Sequence, residues 1–140
     1  MKDRGERMSM LTAYDFSMAA IIDQAGMDVI LVGDSALNII ARNIITLPMT
    51  IEQIIYHGVS VMHALKRALV VVDMPFGTCS GNSKKLLDAA IKIMKETGAV
   101  TLKIEGVEEI IEDIRKIIGA EKSLLANQIR IVIFLHKTVL

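Results

Sequence analysis

The chain has 140 residues, of which 52% are apolar, so it can bury one sizeable core but is too short for two ordinary domains. Its 16 basic and 16 acidic residues balance, and with few aromatic side chains this composition argues against nucleic-acid binding. The single cysteine, Cys79, and a charged start with no long apolar run after it predict a reducing, cytoplasmic protein with no membrane span or signal peptide.

The first predicted elements are a short strand at 8–12 and the helix that follows it. Apolar residues of this helix recur at helical spacing, and Gly26 is placed as its C-terminal stop. These apolar residues are Met18, Ile21, Ile22 and Ala25. A buried strand is predicted at 29–32, and the segment 36–47, which has no clear period, is predicted to be a long loop.

The next pair of elements is a helix and a third strand. Thr50 is predicted to cap a helix that ends near Lys66 and Arg67, whose charges suit a helix C-terminus. The apolar face of this helix comprises Ile51, Ile54, Ile55 and Met62. The apolar run at 68–73 then predicts a buried strand that ends on an aspartate.

The last predicted elements are two helices and two strands. Ser83 or Asn82 is expected to cap a helix that Gly98 ends, and a strand follows at 99–102. A strongly amphipathic helix and a fifth strand at 129–135 complete the chain. The apolar stripes of the two helices are Leu87, Ala90, Ile91 and Met94, and Val107, Ile110, Ile111, Ile114 and Ile118.

This alternation of strands and helices predicts one α/β domain over residues 1–140. Strands that alternate with amphipathic helices form a parallel sheet with right-handed crossovers, either open and doubly wound or part of a (β/α) barrel. Both architectures place ligands at the carboxyl ends of the strands. The high apolar content also predicts self-association into a homo-oligomer.

Acidic residues follow three of the predicted strands in the same phase. Asp34 comes just after the second strand, Asp73 ends the third, and Glu105 ends the pattern 99–105 that contains the fourth. Carboxylates that converge from neighbouring strand ends suit a hard cation such as Mg²⁺. Lys103 lies two residues before Glu105 and therefore points to the same side of its strand. An anionic, metal-chelating substrate such as a 2-oxo acid would fit this pocket.

Less specific interpretations remain open for each of these residues. An aspartate after a strand caps the following turn or helix in about two of three cases, and a lysine–glutamate pair is often a surface ion pair. Ser35 has no paired base in the sequence, so it is expected to be a binding hydroxyl. His57 and His63 fall in a helical pattern and are predicted to be packed or surface residues, whereas His136 is the better site candidate.

Six short motifs occur in the order in which they are found in ketopantoate hydroxymethyltransferases. They are Met10-Leu11-Thr12-Ala13-Tyr14-Asp15, Ile30-Leu31-Val32-Gly33-Asp34-Ser35, Thr46-Leu47-Pro48-Met49-Thr50, Ile55-Tyr56-His57, Asp73-Met74-Pro75-Phe76-Gly77 and Leu102-Lys103-Ile104-Glu105-Gly106. The chain therefore resembles that family over about residues 8–118. Leu37 and Arg42 stand where the family has glycines.

The resemblance implies the first half of a (β/α)₈ TIM barrel of the phosphoenolpyruvate/pyruvate type, in proteins that usually assemble as homo-oligomeric decamers. It also implies transfer of a hydroxymethyl group from 5,10-methylenetetrahydrofolate, the co-substrate, to 3-methyl-2-oxobutanoate. The product is 2-dehydropantoate, in pantothenate and coenzyme A synthesis. Another metal-dependent lyase of the same superfamily is an alternative that the motifs disfavour.

The resemblance also implies roles for individual residues. Asp34, Asp73 and Glu105 match the family's Mg²⁺ ligands, and Asp34, Ser35, Asp73 and Lys103 match its oxo-acid contacts. The metal would act as a Lewis acid and stabilise the substrate's enolate. The general base, a glutamate, is expected in the second half of the barrel and has no counterpart in these residues. The alternative is therefore a catalytically inactive half-barrel remnant, or a metal-binding or assembly module.

Overall fold

A computed structural model describes residues 7–78, 83–106 and 130–135. Along the chain these residues form β1 (Met10–Thr12), α1 (Phe16–Gln24), β2 (Val29–Val32), α2 (Ala36–Ile39), α3 (Ile51–Met62), β3 (Leu69–Asp73), α4 (Ser83–Thr97), β4 (Thr101–Gly106) and β5 (Arg130–Leu135). The helix predicted over 107–118, Cys79 and His136 lie outside the described residues. None of the described helices combines the length and apolar composition that a bilayer span requires.

The five strands form one parallel sheet in the order β1-β2-β3-β4-β5. Each strand therefore pairs with the strand that precedes it in sequence, and the alternating α/β prediction is confirmed. The registers place Val29 beside Leu69 and Asp73 beside Lys103. Because all strands run in the same direction, their carboxyl ends lie along one edge of the sheet.

Helix α1 begins and ends where the sequence predicts, but a different face of it is buried. The Asp15 side chain caps its N-terminus by accepting from the Met18 N–H, and Gly26 follows its end with a φ of +89°. The buried residues of α1 are Ala19, Ile22 and Asp23. Met18 and Ile21 of the predicted stripe are 43% and 69% exposed. The prediction of the face was wrong because Asp23 turns inward to bind the backbone near β3.

The segment between β2 and α3 contains one helical turn that the sequence does not predict. Residues 36–39 form α2, so the expectation of a loop over the whole of 36–47 was wrong at its start. Beyond α2 this segment has no further helix or strand. Arg42 has a φ of +55°, a left-handed conformation that favours glycine. A glycine would adopt this conformation without strain.

Helix α3 has the predicted cap but ends earlier than predicted. The Thr50 side chain accepts from the Gln53 N–H, and the Gln53 side chain accepts from the Thr50 N–H, which completes a capping box. The helix ends at Met62, with His63 as its C-cap, several residues before Lys66. The residues between α3 and β3 form the turn into β3. The charged residues at 66–67 belong to this turn and do not mark the end of the helix.

Helix α4 packs against both the sheet and α3. Its most buried apolar residues are Leu86, Ala89 and Ile93, one position earlier than most of the predicted stripe. Residues of that stripe are only partly buried: Leu87, Ala90, Ile91 and Met94. A helix that contacts a sheet on one side and a helix on another buries a wide face, so spacing alone does not locate its centre. Strand β4 begins at Thr101 and ends at Gly106, so it extends beyond the predicted 99–102 and includes Glu105.

Candidate active site

The candidate active site lies at the carboxyl edge of the sheet, where β2, β3 and β4 end. Asp73 is the last residue of β3, and Lys103 is its partner in the parallel register with β4. Residues that are paired in this way project from the same face of a sheet, so these two side chains are brought together by the register. Asp34 follows β2 at the same edge. The structure therefore brings Asp73 and Lys103 together at this edge, with Asp34 after the adjacent strand.

Lys103 forms ion pairs with two carboxylates. Its Nζ donates a hydrogen bond of 2.8 Å to Oδ2 of Asp73 and another to Oε1 of Glu105. Asp73 and Lys103 are buried, with 4% and 9% of their surface exposed, whereas the Glu105 side chain is 48% exposed. The ammonium group therefore bridges a buried carboxylate and one that reaches solvent. The predicted proximity of Lys103 and Glu105 is confirmed.

Burial and neighbouring charges shift the pKa values of Asp73 and Lys103. Burial raises the pKa of Asp73 to about 6 although the hydrogen bond and charge of Lys103 oppose this, and the charges of Asp34 and Glu105 add to the increase. Burial would lower the pKa of Lys103, but its hydrogen bonds to Asp73 and Glu105 prevail and raise it. The negative charges of Asp34 and Glu105 therefore add to the cost of ionising the buried Asp73, and a cation beside it would lower that cost.

Ser35 lies close to this cluster through the tight turn after β2. A Cβ built on Gly33 would lie 3.1 Å from Ser35 Oγ and 3.8 Å from Asp73 Oδ2. A side chain at Gly33 would therefore crowd the serine hydroxyl, whereas its distance to the Asp73 carboxylate would be an ordinary van der Waals contact. The glycine leaves room for the Ser35 hydroxyl in the turn after β2.

Tyr14 is a member of the site that residue-based reasoning did not single out. Its side chain is buried, and its hydroxyl shares a hydrogen bond of 2.9 Å with Ser35 Oγ. His57 of α3 donates from Nδ1 to the Tyr14 carbonyl oxygen at 2.8 Å, so it is a packed residue, as predicted. A tyrosine two positions after a strand, in an apolar setting where its hydroxyl needs a partner, is a signal that could have found it.

The acidic residues at this edge are of the chemical type that binds hard divalent cations. The acidic residues offer only oxygen atoms, which Mg²⁺ prefers, and the Lys103 ammonium already acts as a tethered cation between two of them. Within 7–78, 83–106 and 130–135, no three histidine, cysteine, aspartate or glutamate side chains stand in a metal-binding arrangement. The ligand set of Asp34, Asp73 and Glu105 therefore stays a prediction.

Comparison with solved structures places this fold in a known class. Phosphoenolpyruvate phosphomutase from Streptomyces platensis subsp. rosaceus superposes with a TM-score of 0.74 at 15% identity, over 95% of this chain and 50% of the other. A phosphonopyruvate hydrolase in complex with oxalate and Mg²⁺ gives a TM-score of 0.70 at 14% identity, over 95% of this chain and 49% of the other. The fold is therefore that of about half of each of these two chains.

Comparison of sequences identifies the family within that class. The sequence model of ketopantoate hydroxymethyltransferase matches residues 1–126, and the chain belongs to this family. It is 64% identical over 120 residues to the 3-methyl-2-oxobutanoate hydroxymethyltransferase of Parabacteroides distasonis, and 61% identical to that of Bacteroides thetaiotaomicron. In each case the match covers 86% of this chain and 44% of the relative. The chain thus spans less than half the length of these transferases.

Proposed function

We propose that this chain carries the metal-binding and oxo-acid-binding half of a 3-methyl-2-oxobutanoate hydroxymethyltransferase, as one partial barrel over residues 1–140. The observation that carries this proposal is the buried pair of Asp73 and Lys103, extended by Glu105, at the carboxyl edge of the sheet. This is the edge at which barrels of this kind bind substrates. The identity of 64% to a named transferase supports the same reaction class.

The metal ligands in this proposal are Asp34, Asp73 and Glu105. When bound, Mg²⁺ would supply Lewis-acid polarisation of the substrate's keto oxygen. The burial of Asp73 supports this role, since a desolvated carboxylate beside other acids gains most from a cation. A protein of the same fold, the phosphonopyruvate hydrolase, is described in complex with Mg²⁺ and oxalate, a small chelating dicarboxylate.

The oxo acid would be held by side chains that surround the same point. Lys103 offers a buried ammonium to the substrate carboxylate, and Ser35 offers a hydroxyl whose position is fixed by Tyr14. Asp34 and Asp73 complete the set of contacts. 5,10-Methylenetetrahydrofolate would donate the one-carbon unit, and we assign the general base, a glutamate, to the part of the barrel that this chain does not span.

Calorimetry tests this proposal on the purified chain. We expect Mg²⁺ to bind, and 3-methyl-2-oxobutanoate to bind only in its presence. Asp73→Ala should abolish both heats, since it removes the central carboxylate. Asp88→Ala is the matched control because Asp88 is an exposed acid on α4, and this variant should bind as the parent does.

The opposite result would favour the alternative function. If the chain is folded by circular dichroism but binds neither Mg²⁺ nor the oxo acid, the enzymatic proposal fails for this chain. A catalytically inactive assembly module would then be the better description.

A further inference from the structure

The ammonium group of Lys103 occupies the place between two of the proposed metal ligands. It donates to Asp73 at 2.8 Å and also to Glu105, and its own side chain is only 11% exposed. A divalent cation that bridges both carboxylates would have to lie where this ammonium group now lies, and two positive charges at that distance repel each other. The lysine and the metal are therefore competitors for the same position.

We propose that a divalent cation displaces the Lys103 ammonium from Asp73 and Glu105, and that this displacement makes the lysine available to the substrate's carboxylate. This inference rests on the proposed function, because it assumes that these acids bind the metal. The inference adds that in the metal-free protein the Lys103 ammonium occupies the position of the metal. Lys103 in this view lowers the affinity of the site for the metal while it prepares the site for an anion.

The burial of Lys103 explains why metal and substrate should bind together. An ammonium group that loses its carboxylate partners inside a protein pays a large desolvation cost unless another anion replaces them. The carboxylate of a 2-oxo acid is such an anion, and it arrives at the same strand ends. Each ligand therefore lowers the cost of binding the other, and this coupling is reciprocal.

Replacement of Lys103 by a neutral side chain of similar length separates the two roles. In Lys103→Met the ammonium group no longer competes for these carboxylates, so Mn²⁺ and Mg²⁺ should bind about tenfold to a hundredfold more tightly than in the parent, the factor that corresponds to one lost charge-assisted hydrogen bond. Binding is measured by calorimetry and by the electron paramagnetic resonance signal of free Mn²⁺. Substrate-induced tightening of metal binding should disappear in the same variant.

Lys92→Met is the matched control. Lys92 also pairs with a carboxylate, that of Glu52 at 2.6 Å, but this pair links α3 and α4 and both of its side chains are exposed, at 41% and 70%. The control loses one ion pair and one positive charge, and its metal affinity should stay within about twofold of the parent because exposed charges are well screened.

Three outcomes are distinguishable. Equal or weaker metal binding by Lys103→Met, with clear binding by the parent, overturns the competition and leaves the proposed function intact. Absence of metal binding by both proteins overturns the competition and also the proposed metal site. Tighter binding by Lys103→Met alone supports the inference.

A second measurement needs no substitution and covers the case in which Lys103→Met fails to fold. The Nζ of Lys103 in the parent protein can be followed by ¹H–¹⁵N spectroscopy of lysine NH₃⁺ groups, with Lys92 as an internal reference. Mg²⁺ should shift or broaden the Lys103 signal and leave the Lys92 signal in place. A Lys103 signal that does not change while Mg²⁺ binds would overturn the displacement.

Discussion

Gly58 of α3 lies directly against Thr97 at the end of α4. A Cβ at Gly58 would lie 2.8 Å from Thr97 Cγ2, and the threonine cannot easily turn away. Its hydroxyl donates to the Ile93 carbonyl at 2.6 Å and accepts from the Ala99 N–H at 3.1 Å. We expect Gly58→Ala to lower the free energy of unfolding by about 1–3 kcal/mol, the usual cost of overpacking, although helix propensity alone predicts a gain of about 1 kcal/mol.

Urea denaturation of a double-mutant cycle checks this prediction. Thr97→Ser keeps the hydroxyl but removes the methyl group that the new Cβ would meet. In that background Gly58→Ala should cost much less, or stabilise the protein. A Gly58→Ala variant that is more stable than the parent would show that the helices can separate without loss.

Asp23 of α1 holds the turn before β3. Its carboxylate accepts from the backbone N–H groups of Ala68 at 2.7 Å, Lys66 at 3.0 Å and Arg67 at 3.3 Å. These hydrogen bonds, the one from Ala68 foremost, hold the pKa of Asp23 below its usual 3.8. A carboxylate with a lowered pKa stabilises the folded state above the unfolded pKa, and this contribution is lost as the pH falls through the lowered value.

We therefore expect the ionisation of Asp23 to contribute to the change in the free energy of unfolding with pH. Asp23→Asn should be less stable than the parent at pH 7, since an amide accepts these N–H groups less well, and the difference should shrink below about pH 4. Urea midpoints measured between neutral and acid pH test this. A stability difference that is constant with pH would exclude the charge of Asp23 as its cause.

At the scale of elements, the capping box of α3 offers the most direct test. Thr50 and Gln53 satisfy one another's backbone N–H groups at 3.2 Å and 2.9 Å. Thr50→Ala should lower the free energy of unfolding by about 1 kcal/mol, because it leaves the Gln53 N–H without its acceptor. Thr50→Ser keeps the hydroxyl and should cost only a small part of this, so equal losses in the two variants would contradict the capping role.

The helices also show what a sequence determines locally and what it does not. Thr50 and Gly26 were predicted as a cap and a stop, and both predictions are confirmed because such signals act within a few residues. The prediction of the buried face of α1 was wrong because that face depends on a contact between Asp23 and a turn more than 40 residues later. The face of a helix is decided by its neighbours in space.

The same distinction applies to the candidate site. The phase of the three acids relative to their strands predicts that they lie at one edge of the sheet. Parallel strands end together, so the acids do follow the strands at one edge. The ion pair between Asp73 and Lys103 depends on the register between β3 and β4, and no local pattern specifies that register. The contact between Tyr14 and Ser35 joins the ends of two strands and was missed for the same reason.

At the scale of the whole molecule, β1 lies at one end of the sheet order, and β1 and α1 carry exposed apolar side chains. In the described residues these are Met10, Leu11, Phe16, Met18 and Ile21, which are between 43% and 69% exposed. Exposed apolar side chains favour self-association. We expect Leu11→Lys combined with Phe16→Ser to weaken self-association of the chain by about tenfold or more, the effect of removing two large apolar contacts.

Analytical ultracentrifugation over a range of concentrations measures this effect. Phe76→Ser is a suitable control, since Phe76 is 72% exposed but follows β3 and is distant in sequence from β1 and α1. A parent chain that sediments as a monomer at every concentration would contradict the prediction.

The order of the sheet has a consequence for how the protein is made. Among the described strands, each one after β1 pairs with the strand synthesised just before it, as Val29 with Met10 and Leu69 with Val29. Each new βα unit can therefore dock on an edge that is already complete while the ribosome is still extending the chain, and no earlier pairing has to be opened to admit it. Assembly of this sheet can follow the direction of translation, one unit at a time.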